Sequence, residues 1–190
     1  MIRLTKRIVV VSNRLPVTIE QDPDGFRVAP SSGGLVTALR PLLDDCAGVW
    51  IGWTGGTDAS PEIECLLEEY SRRGNFVLRP VFMNPEERSR FYCGFSNEVL
   101  WPLFHDLQSR CNFDPGYWDT HLAVNQRFAQ KAASEARPGD LIWVHDYHLM
   151  SVASGLRRLG INERLAYFHH IPFPSPDRSE ERRVGKECRL

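Results

Sequence analysis

The chain has 190 residues, 42% hydrophobic and 25% charged, with a net charge of −1. That length fits one ordinary domain with a real core, and the balanced charge gives no argument for a nucleic-acid or membrane partner. Its five cysteines, odd in number and never in a CxxC pair, point to neither a disulfide framework nor a zinc ribbon and favour a reduced, cytoplasmic compartment; no apolar run reaches membrane-spanning length or resembles a signal peptide.

Residues 7–12 (RIVVVS) are continuous and β-branched, and they predict a first buried strand. Residues 21–32 read as a polar loop containing Gly and Pro, and the glycines of SSGG open a helix carrying Leu35, Leu39, Leu42 and Leu43. VWIGW (49–53) predicts a strand, and residues 61–73 a helix with Pro61 in its first turn. Residues 75–83 are strand-like, but Pro80 demands a sheet edge or a break. Asn84-Pro85-Glu86-Glu87 starts a helical segment running to His105, kinked or stopped by Pro102. Helical spacing resumes over 117–137 and ends at Pro138-Gly139-Asp140. A strand (141–145), a helix (149–159) and a strand (164–169) follow. This alternation predicts an α/β fold with a Rossmann-like, mostly parallel sheet.

Four of the six histidines lie in two runs, LIWVHDYH (141–148) and AYFHHIPFP (166–174), each an apolar stretch ending in ionisable groups. Such a run reads as a strand buried on both faces of a parallel sheet, and ligands bind outside the carboxyl ends of such strands. His145, Asp146, His148, His169 and His170 are therefore expected to meet at one crevice, with either His169 or His170 pointing away because alternate strand residues face opposite sides. Metal ligation by His145, Asp146, His148 and His170 has suitable donor types, but the spacing matches no recognised closed site, so sugar or phosphate binding ranks above it. His105 and His121 are expected at the surface or the core edge. Ser31-Ser32-Gly33-Gly34 before a helix suits a phosphate, but it is not GxGxxG and on its own favours an ordinary turn. Arg14 offers a planar fork for phosphate or a salt bridge to a carboxylate. Tyr92 and Trp101 are nine residues apart and share no face of an unbroken α-helix. The residues alone thus predict a polar crevice for a phosphorylated, hydroxyl-rich ligand.

Six motifs in order, VVVSNRLPV (9–17), SSGGL (31–35), WIGWTG (50–55), FYCGFSNEVLWPLFH (91–105), WVHDYHLM (143–150) and HHIPFPSP (169–176), resemble the amino-terminal half of the trehalose-6-phosphate synthase family. These are retaining glucosyltransferases of the two-domain GT-B fold. The resemblance implies transfer of glucose from UDP-glucose to the anomeric hydroxyl of glucose 6-phosphate, giving trehalose 6-phosphate and UDP, with neither metal nor other cofactor. By motif position it implies that Arg14 and Tyr92 hold the acceptor phosphate, with Trp101 a second acceptor-site aromatic. Asp146 would hold sugar hydroxyls at the reaction centre, His170 would line the donor glucose, and Gly33 and Gly34 would approach the donor phosphates through their backbone. Asp146 and His170 are thereby the catalytic candidates. With one carboxylate placed, the resemblance implies a same-face mechanism in which the leaving phosphate takes the acceptor's proton, unlike a retaining glycosidase with its two close carboxylates.

Residues 1–177 would form the acceptor-binding, amino-terminal domain of the GT-B fold, truncated before the family's second domain, so the chain alone is expected to be inactive. Residues 178–190 (RSEERRVGKECRL) depart from the family's pattern, as a frameshift or an assembly junction would. A homo-oligomer of the full-length protein stays open. A glycerol 3-phosphate acceptor and a non-catalytic sugar-phosphate-binding module are the competing readings; a nucleotide-dependent oxidoreductase would want GxGxxG after the first strand, where it is absent.

Overall fold

The computed structural model describes residues 7–23, 25–57 and 59–173. The charged segment 178–190 lies outside them. β1 (Ile8–Arg14) is buried along six of its seven residues. It leads into an antiparallel pair, β2 (Val17–Asp22) and β3 (Gly25–Pro30), where the sequence predicts a loop from Gln21. The Pro23–Gly25 turn signals belong to a hairpin, and its period-2 strands are too short and too exposed to stand out. α1 (Gly34–Cys46) follows with Leu39 and Leu43 buried, and then β4 (Val49–Trp53).

α2 (Pro61–Arg73) has its start fixed chemically: Ser60 Oγ accepts the Ile63 N–H, Pro61 takes a position whose N–H is unused, and Glu62 and Glu64 face the positive end. β5 (Val77–Val81) carries Pro80 and is an edge strand, as the proline requires. The short α3 (Pro85–Glu87) has a complete capping box between Asn84 and Glu87. It continues as a π-helix over Arg88–Leu100, then as α4 (Trp101–Phe104) with Pro102 tolerated near its start. α5 (Gly116–Glu135), β6 (Leu141–His145), a 3₁₀ turn (Tyr147–Leu149), α6 (Val152–Arg158) and β7 (Arg164–Phe168) complete the described chain.

The parallel sheet has the order β5-β4-β1-β6-β7. The first three of these strands in sequence build outward from β1 in one direction, and the chain then returns to add β6 and β7 on β1's other side. This reversal is the topological switch of a Rossmann-like sheet, and the crevice for ligands opens between β1 and β6 at their carboxyl ends. Alternate residues of β1 face two cores. Val9 and Val11 pack with Ile51, Phe128, Val144 and Leu156. Ile8 and Val10 pack with Leu39, Leu43, Trp50 and Leu67. Helices therefore cover both faces, which is why β1 and β4 read as unbroken apolar runs. β7 departs from the expectation of burial on both faces: among the described residues it has a strand neighbour on one side only, and Tyr167 and Phe168 are 44% and 50% exposed. Among the described residues no helix is long and apolar enough to cross a membrane.

Candidate active site

A cavity of about 370 Å³ lies at the switch point, walled by residues from the ends of β1 and β6, the start of α1, and the π-helix. Arg14, Gly33, Gly34, Tyr92, His145, Asp146 and His148 all line it.

Arg14 reaches the cavity because β1 ends in a bulge. The β1–β4 register shifts between Val11 and Arg14, while the Leu15 N–H still donates to the Trp53 carbonyl at 2.9 Å. Ser12 stabilises the bend, its hydroxyl donating to the Arg14 carbonyl and accepting from the buried Trp50 Nε1–H, both at 2.7 Å. The guanidinium then lies 4.3 Å from the Trp53 ring centroid and 5.9 Å from that of Tyr92. Two glycines of WIGWTG make this possible. A Cβ on Gly52 would sit 2.6 Å from the Arg14 and Leu15 backbone, and one on Gly55 would sit 1.9 Å from Arg14 Nη1, with φ at +95° besides. Of the two roles open to Arg14, the salt bridge is not realised: no carboxylate among the described residues pairs with it.

α1 begins at Gly34 with no side chain capping its first N–H groups, and the space a Cβ would fill at Gly33 or Gly34 is open. Backbone donors and the positive helix end thus face the cavity.

Asp146 follows β6 with φ 73° and ψ 164°, a conformation left almost entirely to glycine. The surroundings over-determine it. Its N–H donates to the Phe168 carbonyl at 2.7 Å, and its Oδ1 accepts the N–H groups of Tyr147 at 2.9 Å and His170 at 3.4 Å. Its Oδ2 lies 3.8 Å from His148 Nδ1. The strained residue also ends the strand and starts the 3₁₀ turn, so the predicted helix over 149–159 is shortened to α6. His148 is stacked between Tyr147 and Tyr92, at 4.0 and 5.8 Å. Burial lowers its pKa, and the Asp146 charge partly restores it. Burial likewise raises the Tyr147 phenol.

His170 does not line the cavity but reaches its wall through His145, with Nε2 3.0 Å from His145 Nδ1. His169 turns elsewhere, to the Tyr167 hydroxyl at 3.1 Å and the edge of Phe104 at 4.8 Å; both histidines follow the end of β7 and neither lines the cavity, so the expected strand alternation does not govern them. Trp101 is also outside the lining, 41% exposed and stacked on His105 at 4.1 Å. Its relation to Tyr92 nonetheless changes. An i→i+5 helix takes roughly 4.4 residues per turn, so nine residues make about two turns and return to one face, where the α period puts them on opposite faces. Among the described residues no three His, Cys, Asp or Glu side chains are grouped to hold a metal ion.

The sequence places His121 at the surface or the core edge, but it is fully buried, its ring against Phe95 at 4.6 Å and Trp118 at 5.4 Å. Its partners come from another element: Nε2 lies 3.3 Å from Ser151 Oγ. Beside it, buried Asn125 donates to the carbonyls of His121 and His148 at 3.0 and 3.1 Å and accepts the Ser151 N–H at 3.2 Å. This side chain fastens α5 to the loop that carries Asp146. Its sequence signal was a polar pair at i, i+4 on the face of α5 that also carries Val124 and Phe128.

A free guanidinium beside a phenol and an uncapped helix start can bind anionic oxygen; the lone carboxylate of the cavity can accept hydroxyl hydrogens. The trehalose-6-phosphate synthase of Mycolicibacterium smegmatis is 43% identical over 171 residues, covering 90% of this chain and 33% of that protein. The UDP-forming alpha,alpha-trehalose-phosphate synthase of Yarrowia lipolytica is 41% identical over 177 residues, covering 90% and 37%. The crystal structure of alpha,alpha-trehalose 6-phosphate synthase from Burkholderia multivorans superposes with a TM-score of 0.74 at 36% identity, covering 96% of this chain and 37% of that one. The Escherichia coli protein bound with UDP-2-fluoro glucose gives 0.73 at 35%, covering 90% and 34%. The chain spans about a third of the length of these relatives, and its sheet is that of the GT-B amino-terminal domain. With the model of glycosyltransferase family 20 matching residues 6–179, the chain belongs to that family.

Proposed function

We propose that this chain is the acceptor-side part of a cytoplasmic trehalose-6-phosphate synthase, which transfers glucose from UDP-glucose to glucose 6-phosphate with retention and releases UDP. The observation that carries this reading is the unpaired Arg14 guanidinium, seated over Trp53 beside Tyr92 and opening on the same cavity as Asp146. Arg14 and Tyr92 bind the acceptor phosphate, Asp146 accepts hydrogens from sugar hydroxyls, and the amides at Gly33 and Gly34 face the donor phosphates. Trp101 adds a second aromatic on the acceptor side, and His170 faces the donor sugar. Residues 1–177 form this acceptor-binding domain. The chain by itself supplies one wall of an interdomain site and does not turn over, and neither nucleic acid nor membrane is a partner.

Titration of the 190-residue chain with glucose 6-phosphate, followed by amide NMR, tests the reading. Saturable shifts at Arg14, Tyr92 and Asp146, absent with glucose and weakened in Arg14→Ala, are expected. No shift at these positions, equal response to glycerol 3-phosphate, or UDP release by the chain alone overturns it.

A further inference from the structure

β6 ends on His145, whose ring is 1% exposed and whose Nδ1 lies 3.0 Å from His170 Nε2. Two neutral imidazoles at this distance share one hydrogen: one ring donates, the other accepts, and the protonation of both remaining nitrogens follows. The surroundings choose between the two arrangements. His145 Nε2 is buried without a hydrogen-bond partner among the described residues, and its ring packs on Trp143 at 4.6 Å and lies 6.4 Å from Phe168. If His170 donated, His145 would carry its hydrogen on Nε2, burying an N–H with no acceptor. If His145 donates from Nδ1, a bare ring nitrogen faces the aromatic wall, which is the more tolerable orphan. Burial and the facing His170 also hold the His145 pKa down to about 4, against the pull of Asp146, so the ring stays neutral and cannot donate from both nitrogens.

We propose that His145 is a positioning residue that fixes the tautomer of His170, holding it with hydrogen on Nδ1 so that it offers a ligand a donor and never a second acceptor. The group it would engage is an oxygen acceptor, a sugar hydroxyl oxygen or a glycosyl phosphate oxygen. This rests on the proposed role of His170 toward the donor sugar. It also explains why a second histidine one strand away, itself buried, stands behind an exposed one.

The test is long-range ¹H–¹⁵N NMR of the imidazoles in the 190-residue chain at neutral pH, without substrates, so it stands apart from any failure of the transferase reading. In the unmodified chain His170 is expected with a protonated, pyrrole-type Nδ1 and an unprotonated Nε2, and His145 with the hydrogen on Nδ1. In His145→Asn, whose side-chain amide N–H replaces the Nδ1 donor, the His170 tautomer is retained. In His145→Phe it reverts to the Nε2–H form favoured by isolated imidazoles. A protonated Nε2 on His170 in the unmodified chain overturns the proposal even if neither variant folds. An unchanged His170 signature in a folded His145→Phe overturns it equally.

Discussion

Lowering the pH from 7 to 5 should destabilise this fold through two histidines that burial keeps neutral. His121 and His145 have pKa values pushed down to about 4, chiefly by loss of solvent, and both side chains are essentially inaccessible. In the unfolded chain each titrates near 6.5. The unfolded state therefore binds more protons than the native state between these values, and stability falls as pH decreases through that window. At pH 5 each histidine costs about 2 kcal/mol relative to pH 7, so the pair removes about 4 kcal/mol from a total typically of order 5–15 kcal/mol. For a chain of this size that is a drop in Tm of roughly 10 °C. The lowered pKa of His148 acts in the same direction. Urea unfolding at half-unit steps of pH gives both the loss and its slope, which should approach about 1.4 kcal/mol per pH unit for each histidine near pH 5. His121→Gln, which does not line the cavity, should lower that slope by the contribution of one histidine. A difference below about 1 kcal/mol between pH 7 and 5 would refute the claim that these rings are held neutral by burial.

Three further outcomes follow from the same geometry. Gly55→Ala places a Cβ against the Arg14 guanidinium at a positive φ, and it should cost about 1–2 kcal/mol of stability while weakening glucose 6-phosphate binding to the chain; unchanged affinity by titration would contradict the seating of Arg14. Asp146→Gly should melt higher than Asp146→Ala by about 1–2 kcal/mol, because only glycine relieves the strained φ; equal melting curves would remove the case for strain. Asn125→Leu removes the side-chain donor to the His148 carbonyl and the acceptor of the Ser151 N–H, while the His121 carbonyl keeps its helical partner, and should cost about 1–3 kcal/mol. Hydrogen exchange in that variant should quicken at Tyr147–Ser151 before it quickens in α5; uniform quickening would deny Asn125 its role as a loop fastener.

The parts of the fold legible in the sequence are those in which a local rule and the tertiary environment agree. The β-branched run of β1 is apolar throughout because two cores flank it, and Pro80 declared an edge strand because a central strand cannot lose an N–H. The meeting of Arg14 and Asp146 at one cavity follows from parallel strand ends, which periodicity and loop signals can locate, whereas Tyr92 is tied to it in sequence only by the family resemblance. What escaped depends on partners distant in sequence or on unusual winding. His121 looked like an edge residue because nothing local shows that Ser151 will satisfy it. The π-helical winding over Arg88–Leu100 has no local sequence signature that sets it apart from an α-helix. Trp101 and His170 remain outside the cavity lining, although their motifs placed them with the others.

The central position of β1 has a consequence for how the site comes into being. The first strand of the chain finds one neighbour within 40 residues, at Val49, but the other only at Leu141. During synthesis the Arg14 platform on Trp53 can assemble early, while the carboxylate that faces it waits until residue 146 has emerged. Contacts of such long sequence separation form late and slowly. A nascent chain thus exposes one flank of β1 until β6 has emerged, and the binding crevice cannot close before then.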